Sequence, residues 1–459
     1  MENIVEKEVN KGSEITGIIY LEEPPAGRLK LFDLYTIALG GAVGAGVVSF
    51  TGVALGMTGI TMWLAYILGI ILGVVTNIPY LIIGSSLRLG GGEYSTIGAL
   101  LNEKYAGMYA LGKLLYPIYF GTYGVSFASY ILSIVPGLNA KLVGVLFVAT
   151  FFIINCFGIN ASSKTQNIMF IFLIIGLASF IIIGFPKIVN PVFDFSDPSQ
   201  FTNGAKGFIN AIVMLAASCQ AYNIVTQFGK DANNAKKDVP RAMLFVVPSL
   251  IILYGGCGLV ASGILPLSET ANQPLTYTAR AIMPTWMFVL FIIGVLMAIT
   301  TTLNGILVGT MNLLSQSADN GWLPKIASKK NKYGVPVAIL AFECICASVP
   351  ILTGFNIATI TRYLNLINPL LGAIFTIAVF QLPKKYPNSW KKSMFNVPTP
   401  LFNIILCIVL IAQAFMLYNS LTTLDIKIVI FTILLFAFLM IYASNRSKKQ
   451  VKAEISVWE

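Results

Sequence analysis

The chain has 459 residues, of which 56% are hydrophobic and 11% charged, with no histidine and a formal net charge of +11. Soluble domains run near about 45–50% apolar and about 25% charged, so a set of soluble domains is excluded, as is chemistry that needs imidazole as base or ligand. The basic residues sit in short clusters between apolar runs, which suits an anionic membrane surface and argues against nucleic acid as a partner.

The segment Met1–Lys30 is polar, carries Glu2, Glu6, Glu8, Glu22 and Glu23, and has no short apolar core of a signal peptide. The first span is therefore expected to act as its own insertion signal. A helix needs about 20 apolar residues to cross the hydrocarbon core, and that rule marks twelve spans. They lie near Leu34–Met57, Thr61–Leu87, Ala110–Val135, Leu142–Phe157, Ile168–Phe185, Phe208–Phe228, Ala242–Leu265, Trp286–Asn312, Val337–Leu352, Ile357–Leu382, Leu401–Tyr418 and Ile426–Tyr442. Gly90–Lys113 reads as an interfacial helix leading into the third span. Cys156, Cys219, Cys257, Cys344, Cys346 and Cys407 fall inside or beside apolar runs and read as small fillers.

Charge placement tests the span count. With the N-terminus inside, the inner segments hold 24 Lys and Arg and the outer segments hold 6. That asymmetry predicts a multi-pass protein of the cell membrane with both termini cytoplasmic. The tails would be residues 1–30 and 444–459, with no extramembrane stretch long enough to fold alone.

The informative places are where apolarity lapses. Gly40, Gly41, Gly44 and Gly46 cluster midway along the first span. In lipid an unwound backbone survives only where it is buried or lines a cavity, although small residues also serve close helix packing. The sixth span is interrupted by Ala216-Ala-Ser-Cys-Gln-Ala-Tyr-Asn223, and Ser218, Gln220 and Asn223 are costly in hydrocarbon unless they face a cavity or another helix. Interruptions at corresponding places in two halves point to a transporter site at mid-membrane. The first and sixth spans correspond if spans one to five and six to ten form an inverted repeat, about 31–187 and 206–382. Broken helices present N–H groups to an anion and C=O groups to a cation, which together describe an amino acid zwitterion.

At these residues the sequence resembles the amino acid–polyamine–organocation permeases, with the leucine-transporter-like fold. Gly40–Val48 is similar to that family's glycine-rich break, and Gly90-Gly-Gly-Glu-Tyr94 resembles its element before the third span. Lys236-Lys-Asp-Val-Pro-Arg-Ala242 resembles the loop after the sixth span. Asp319-Asn-Gly-Trp-Leu-Pro324, with Tyr333-Gly-Val-Pro336, resembles the loop after the eighth. The resemblance implies an all-α membrane protein with twelve transmembrane helices: a core over 31–382 built as a five-plus-five inverted repeat, then spans eleven and twelve over 383–443.

By position the resemblance implies that the backbone N–H groups of Ala45 and Gly46 bind the substrate carboxylate. The carbonyls of Ala42, Ala217 and Gln220 would accept the α-ammonium, with Val43 and Gly44 completing the first break. Ser218, Cys219 and Asn223 would form the side-chain pocket, with Tyr119 or Tyr123 from the third span. Ala217, Cys219 and Ala221 stand where many members have an aromatic gate and a glycine, which suggests a roomier pocket. Asn223 stands where exchangers of cationic amino acids often carry glutamate, which favours a neutral amino acid.

For coupling, Ala298-Ile-Thr-Thr-Thr302 offers oxygens along one helical face, although membrane threonines commonly bond back to their own helix. The resemblance matches the carbonyls of Gly40, Val43 and Ala298 and the hydroxyls of Thr301 and Thr302 to one sodium site. One sodium ion per cycle is the leading expectation for coupling, and no cofactor is called for. A lysine that replaces sodium in some proton-coupled members aligns with Leu173. Glu343, the one carboxylate deep in a span, is the candidate proton carrier. A membrane enzyme would want clustered acids or a base beside Ser218 or Cys219, and neither is there. A transporter-like sensor would share these features but would favour longer tails. The reading is a secondary amino acid transporter working by alternating access, with the amino acid and membrane lipids as partners. Proton coupling or exchange is the alternative.

Overall fold

The structure is a computed structural model that describes residues 18–20, 29–44, 46–89, 91–229, 232–355, 357–448 and 455–458. Almost all of it is helix. Among the described residues, eight helical stretches are long and apolar enough to cross a membrane; Thr51–Ser86 is the longest at 36 residues, with a 3-10 turn at Gly59–Thr61, and the longest unbroken α-helix is Thr285–Asp319. Its 35 residues rise about 50 Å at 1.5 Å each, so it outruns the hydrocarbon and projects into the loop beyond. Leu31–Ala42, Ala140–Asn155 and Val337–Thr353 are shorter apolar helices.

Local chemistry explains several starts. The Asn139 side chain accepts from the N–H groups of Lys141 and Leu142 and opens Ala140–Asn155. Asn102 does the same for Glu103–Lys113 and Asp425 for Ile426–Ser447. Each satisfies N–H groups that have no partner within the first turn. The stretch expected as one interfacial helix is two, Gly92–Leu100 and Glu103–Lys113, divided at Leu101. In the loop before the sixth span, Asp197 accepts from the Ser199 hydroxyl and from its N–H at 2.8 Å, which holds that carboxyl below its ordinary range.

The helices pack as a bundle whose outer surface is apolar. Ile404, Ile411, Phe431 and Ile433 are among the large side chains left exposed, as a lipid-facing wall requires. Inside, Thr285–Asp319 runs along Ile159–Gly184, and the two backbones approach at Gly176 and Gly294. A Cβ added at either glycine would lie 2.7 Å from the other's Cα, so only glycine permits that spacing. Met62–Ser86 packs on Gly204–Cys219, and Val337–Thr353 on Pro117–Ile134.

One small sheet was not foreseen. Ile455–Trp458 lies between Ile18–Tyr20, to which it is parallel, and Arg88–Leu89, to which it is antiparallel. The strands near the two ends therefore meet on the same face of the bundle, beside the end of the second span.

Candidate functional site

The first span is discontinuous. Leu31–Ala42 ends at Val43, whose N–H still reaches the Leu39 carbonyl at 2.7 Å, and the chain resumes as a wide turn over Gly46–Phe50 and a helix over Thr51–Thr58. Gly44 lies in the gap; Ala45 lies outside the described residues. The sixth span is interrupted too. Gly204–Cys219 stops at Gln220 and continues as a tighter 3-10 segment, Ala221–Phe228.

The halves face one another crosswise. Leu31–Ala42 packs on Ala221–Phe228, while Gly46–Phe50 packs on Gly204–Cys219. Glycine permits both approaches. A Cβ at Gly41 would meet Ile224 at 3.2 Å, and one at Gly46 would meet the Tyr254 hydroxyl at 2.6 Å and Ser218 at 3.0 Å.

Side chains from other spans satisfy the interrupted backbone. The Tyr254 hydroxyl donates to the Ala42 carbonyl at 2.7 Å, and the Tyr66 hydroxyl donates to the Gly46 carbonyl at 2.9 Å. Their rings lie 5.0 Å apart, and both are fully buried. At the sixth-span break, Asn77 Nδ2 donates to the Gln220 carbonyl at 2.8 Å, and the Thr76 hydroxyl donates to Gln220 Oε1 at 3.1 Å. Ser218 bonds back to the Leu215 carbonyl at 2.7 Å and stands 3.8 Å from Cys219 Sγ.

A cavity of about 70 Å³ opens beside this second break, lined by Ala217, Gln220, Ala221 and Asn223 on one side and Tyr80, Tyr116 and Asn368 on another. The third-span contribution is thus Tyr116. Tyr119 and Tyr123 are buried against each other, their rings 5.6 Å apart, and Tyr119 also borders a groove on the outer wall. Glu93 and Lys113 line the cavity as well.

The five candidates for the cation position are placed as follows. Thr302 donates to the Gly40 carbonyl at 2.7 Å, and Thr301 reaches the carbonyls of Ala298 at 3.0 Å and Gly40 at 3.3 Å. Val43 is buried at the end of the same helix turn. Four oxygens from spans one and eight thus converge, a donor set suited to a hard monovalent cation. Gln166 of the fifth span lies against Gly40, and Leu173 is fully buried in the apolar core that also holds Val43 and Ala298. Gln166 Nε2 lies against Gly40 and has no hydrogen-bond partner among the described residues, while Asn304 Nδ2 donates to Gln166 Oε1 at 3.5 Å. Glu343 is fully buried on Val337–Thr353, neither carboxyl oxygen has a partner among the described residues, and it lines neither cavity beside the second break.

Thr76, Asn77, Tyr80, Glu93, Lys113, Tyr116 and Asn368 were missed in the sequence. Thr76-Asn77 carried a readable signal, a polar pair inside an otherwise apolar span. Glu93 and Lys113 carried none, because they stand 20 positions apart in a stretch polar enough to pass as surface.

A helical membrane bundle with two interrupted helices facing a mid-bundle cavity defines a permease. The profile of the amino acid permease family matches residues 29–444, and the chain belongs to that family. It is 22% identical to the methylthioribose transporter of Bacillus subtilis over 81% of this chain and 84% of that one. It is 22% identical to that organism's branched-chain amino acid permease over 79% and 82% of the two chains. It is also 23% identical to the large neutral amino acids transporter small subunit 2 of Rattus norvegicus over 84% and 74%. The family and these relatives are transporters rather than enzymes.

Proposed function

We propose that the protein is a secondary active transporter that carries neutral, zwitterionic amino acids across the cell membrane by alternating access. The observation that carries this reading is the crosswise meeting of two interrupted helices beside a polar cavity. The substrate carboxylate binds N–H groups at the first break, around Ala45 and Gly46. The α-ammonium binds carbonyls around Ala42, Ala217 and Gln220, of which Ala42 and Gln220 already carry the Tyr254 and Asn77 donors. A carbonyl has two lone pairs, so those donors orient the acceptors without using them up.

The architecture that goes with this function is twelve spans, ten of them an inverted repeat, with both termini cytoplasmic. The shared face of the two terminal strands agrees with an even number of spans. Spans one, two, six and seven rock against the rest, and the Tyr66 and Tyr254 contacts to the first break lie within that moving unit. Sodium is the coupling ion, held by Gly40, Val43, Ala298, Thr301 and Thr302; when the ion binds, the threonine hydroxyls turn from donors on the carbonyls to ligands beside them. Proton coupling is the second reading, favoured by the buried, unpartnered carboxyl of Glu343.

The test is uptake of labelled neutral amino acids into proteoliposomes, with and without a sodium gradient. Gradient-driven accumulation is expected. Binding without flux would replace transport by sensing, and equal rates in sodium-free buffer would remove the threonine site.

A further inference from the structure

A lysine and a glutamate meet inside the bundle, largely shielded from solvent. Lys113 ends the helix leading into the third span and Glu93 lies in the first turn of Gly92–Leu100, with their charged atoms 3.8 Å apart and side chains only 15% and 7% exposed. Burying two charges costs more than their attraction returns unless further hydrogen bonds complete the set. For the carboxylate they do. Gln227 Nε2 donates to Oε2, the Tyr80 hydroxyl donates to Oε1 at 3.5 Å, and the Tyr109 hydroxyl lies against the same group. The ammonium is less complete. Besides Glu93, its neighbours are the rings of Tyr116, 4.5 Å from Nζ, and Tyr109, at 5.5 Å. Those rings stabilise a cation but leave most of the three N–H donors of an ammonium for another acceptor.

That acceptor has a place to come from. Lys113 and Glu93 line both the 70 Å³ cavity and a second of about 50 Å³, and Ala221 and Asn223 of the second break line both as well. Ala217 and Ala221 are small enough to leave the way from the break to the pair open. The pair sums to zero charge, so a charged side chain arriving there would stand uncompensated in a low dielectric. A carboxamide brings a carbonyl oxygen for Lys113, and its NH₂ group finds oxygens on Thr76, Gln220 or Asn368, which share the first cavity.

We infer that Lys113, balanced by Glu93, receives the far end of the substrate's side chain, and that the substrate is a neutral amino acid ending in a carboxamide, such as glutamine or asparagine. This rests on the amino acid reading above and narrows it. A sequence scan sees Asn223 where a counter-charge was sought and stops there; the fold brings the charge from a different helix and brings its partner with it.

The test measures dissociation constants of glutamine, asparagine, leucine, lysine and glutamate on the purified full-length chain, by thermal stabilisation and by competition against uptake in proteoliposomes. Glutamine or asparagine is expected to bind at least about tenfold more tightly than the other three, the scale of one hydrogen bond to a charged group. Lys113→Met alone strands a buried carboxylate and is expected to destabilise the fold. The double variant Glu93→Gln with Lys113→Met removes both charges at similar volume, and in it the amide preference is expected to fall to within about twofold. Leucine or a charged amino acid binding as tightly as the amides overturns the inference, and so does an amide preference that survives the double variant. If none of the twenty amino acids binds, the transport reading itself falls, a result distinct from binding with the wrong preference.

Discussion

The two helix breaks are built on opposite plans. The first is crowded: glycines at 40, 41, 44 and 46 let neighbours press against the main chain, and two tyrosine hydroxyls hold its carbonyls in a fully buried setting. The second is roomy: alanines at 217 and 221 border a cavity, and an asparagine and a threonine from the second span hold the backbone and side chain of Gln220. On the proposed reading, the crowded break recognises through a rigid backbone that serves every amino acid alike, and the space beside the roomy break is what would decide among side chains.

The largest effect is expected where crowding is greatest. Gly46→Val places branched carbons where a single Cβ would already lie 2.6 Å from the Tyr254 hydroxyl. Overpacking of this kind costs about 1–3 kcal/mol, and uptake is expected to vanish while the equivalent enlargement at the other break, Ala221→Val, only narrows the range of accepted side chains. Comparing uptake and competition profiles of the two variants checks the contrast, and equal loss from both would erase it.

Next comes the support of the second break. Asn77→Ala removes the donor to the Gln220 carbonyl, leaving a partly buried acceptor with reduced pairing at about 1–3 kcal/mol. Substrate affinity should fall about tenfold or more in a binding titration, with Asn77→Asp no better because a carboxylate cannot donate that bond. A smaller loss, about 1 kcal/mol or a few-fold in affinity, is expected of Tyr254→Phe, which keeps the ring and removes its hydroxyl's bond to the Ala42 carbonyl and its contact with the Gly44 backbone. The double variant Thr301→Ala with Thr302→Ala should leave the sodium-free rate as it is and abolish its stimulation by sodium, measured as initial uptake in sodium against choline buffer.

The legible part of the site was its backbone. Gly40 to Gly46 and Ala217 to Asn223 announce themselves because glycine and polar side chains violate the rule that a lipid-spanning helix satisfies its own main chain. The supports were legible only in part. Thr76-Asn77 violates the same rule, whereas Tyr66 and Tyr254 do not, since a tyrosine in an apolar span reads as packing. Gln166 was not legible, because polarity along the fifth span does not show which of its faces meets Gly40.

Composition and the placement of lysine and arginine were enough to read a multi-pass helical protein and where its helices lapse, because the cost of exposing a peptide group or a charge to hydrocarbon is paid residue by residue along the chain. The meeting of Glu93 with Lys113, and of both with Asn223, follows no such local rule. It depends on how three helices cross, and helix crossings are set by side-chain packing between segments far apart in sequence. That is why the two helix breaks could be read from one dimension, while the buried pair beside the second break required three.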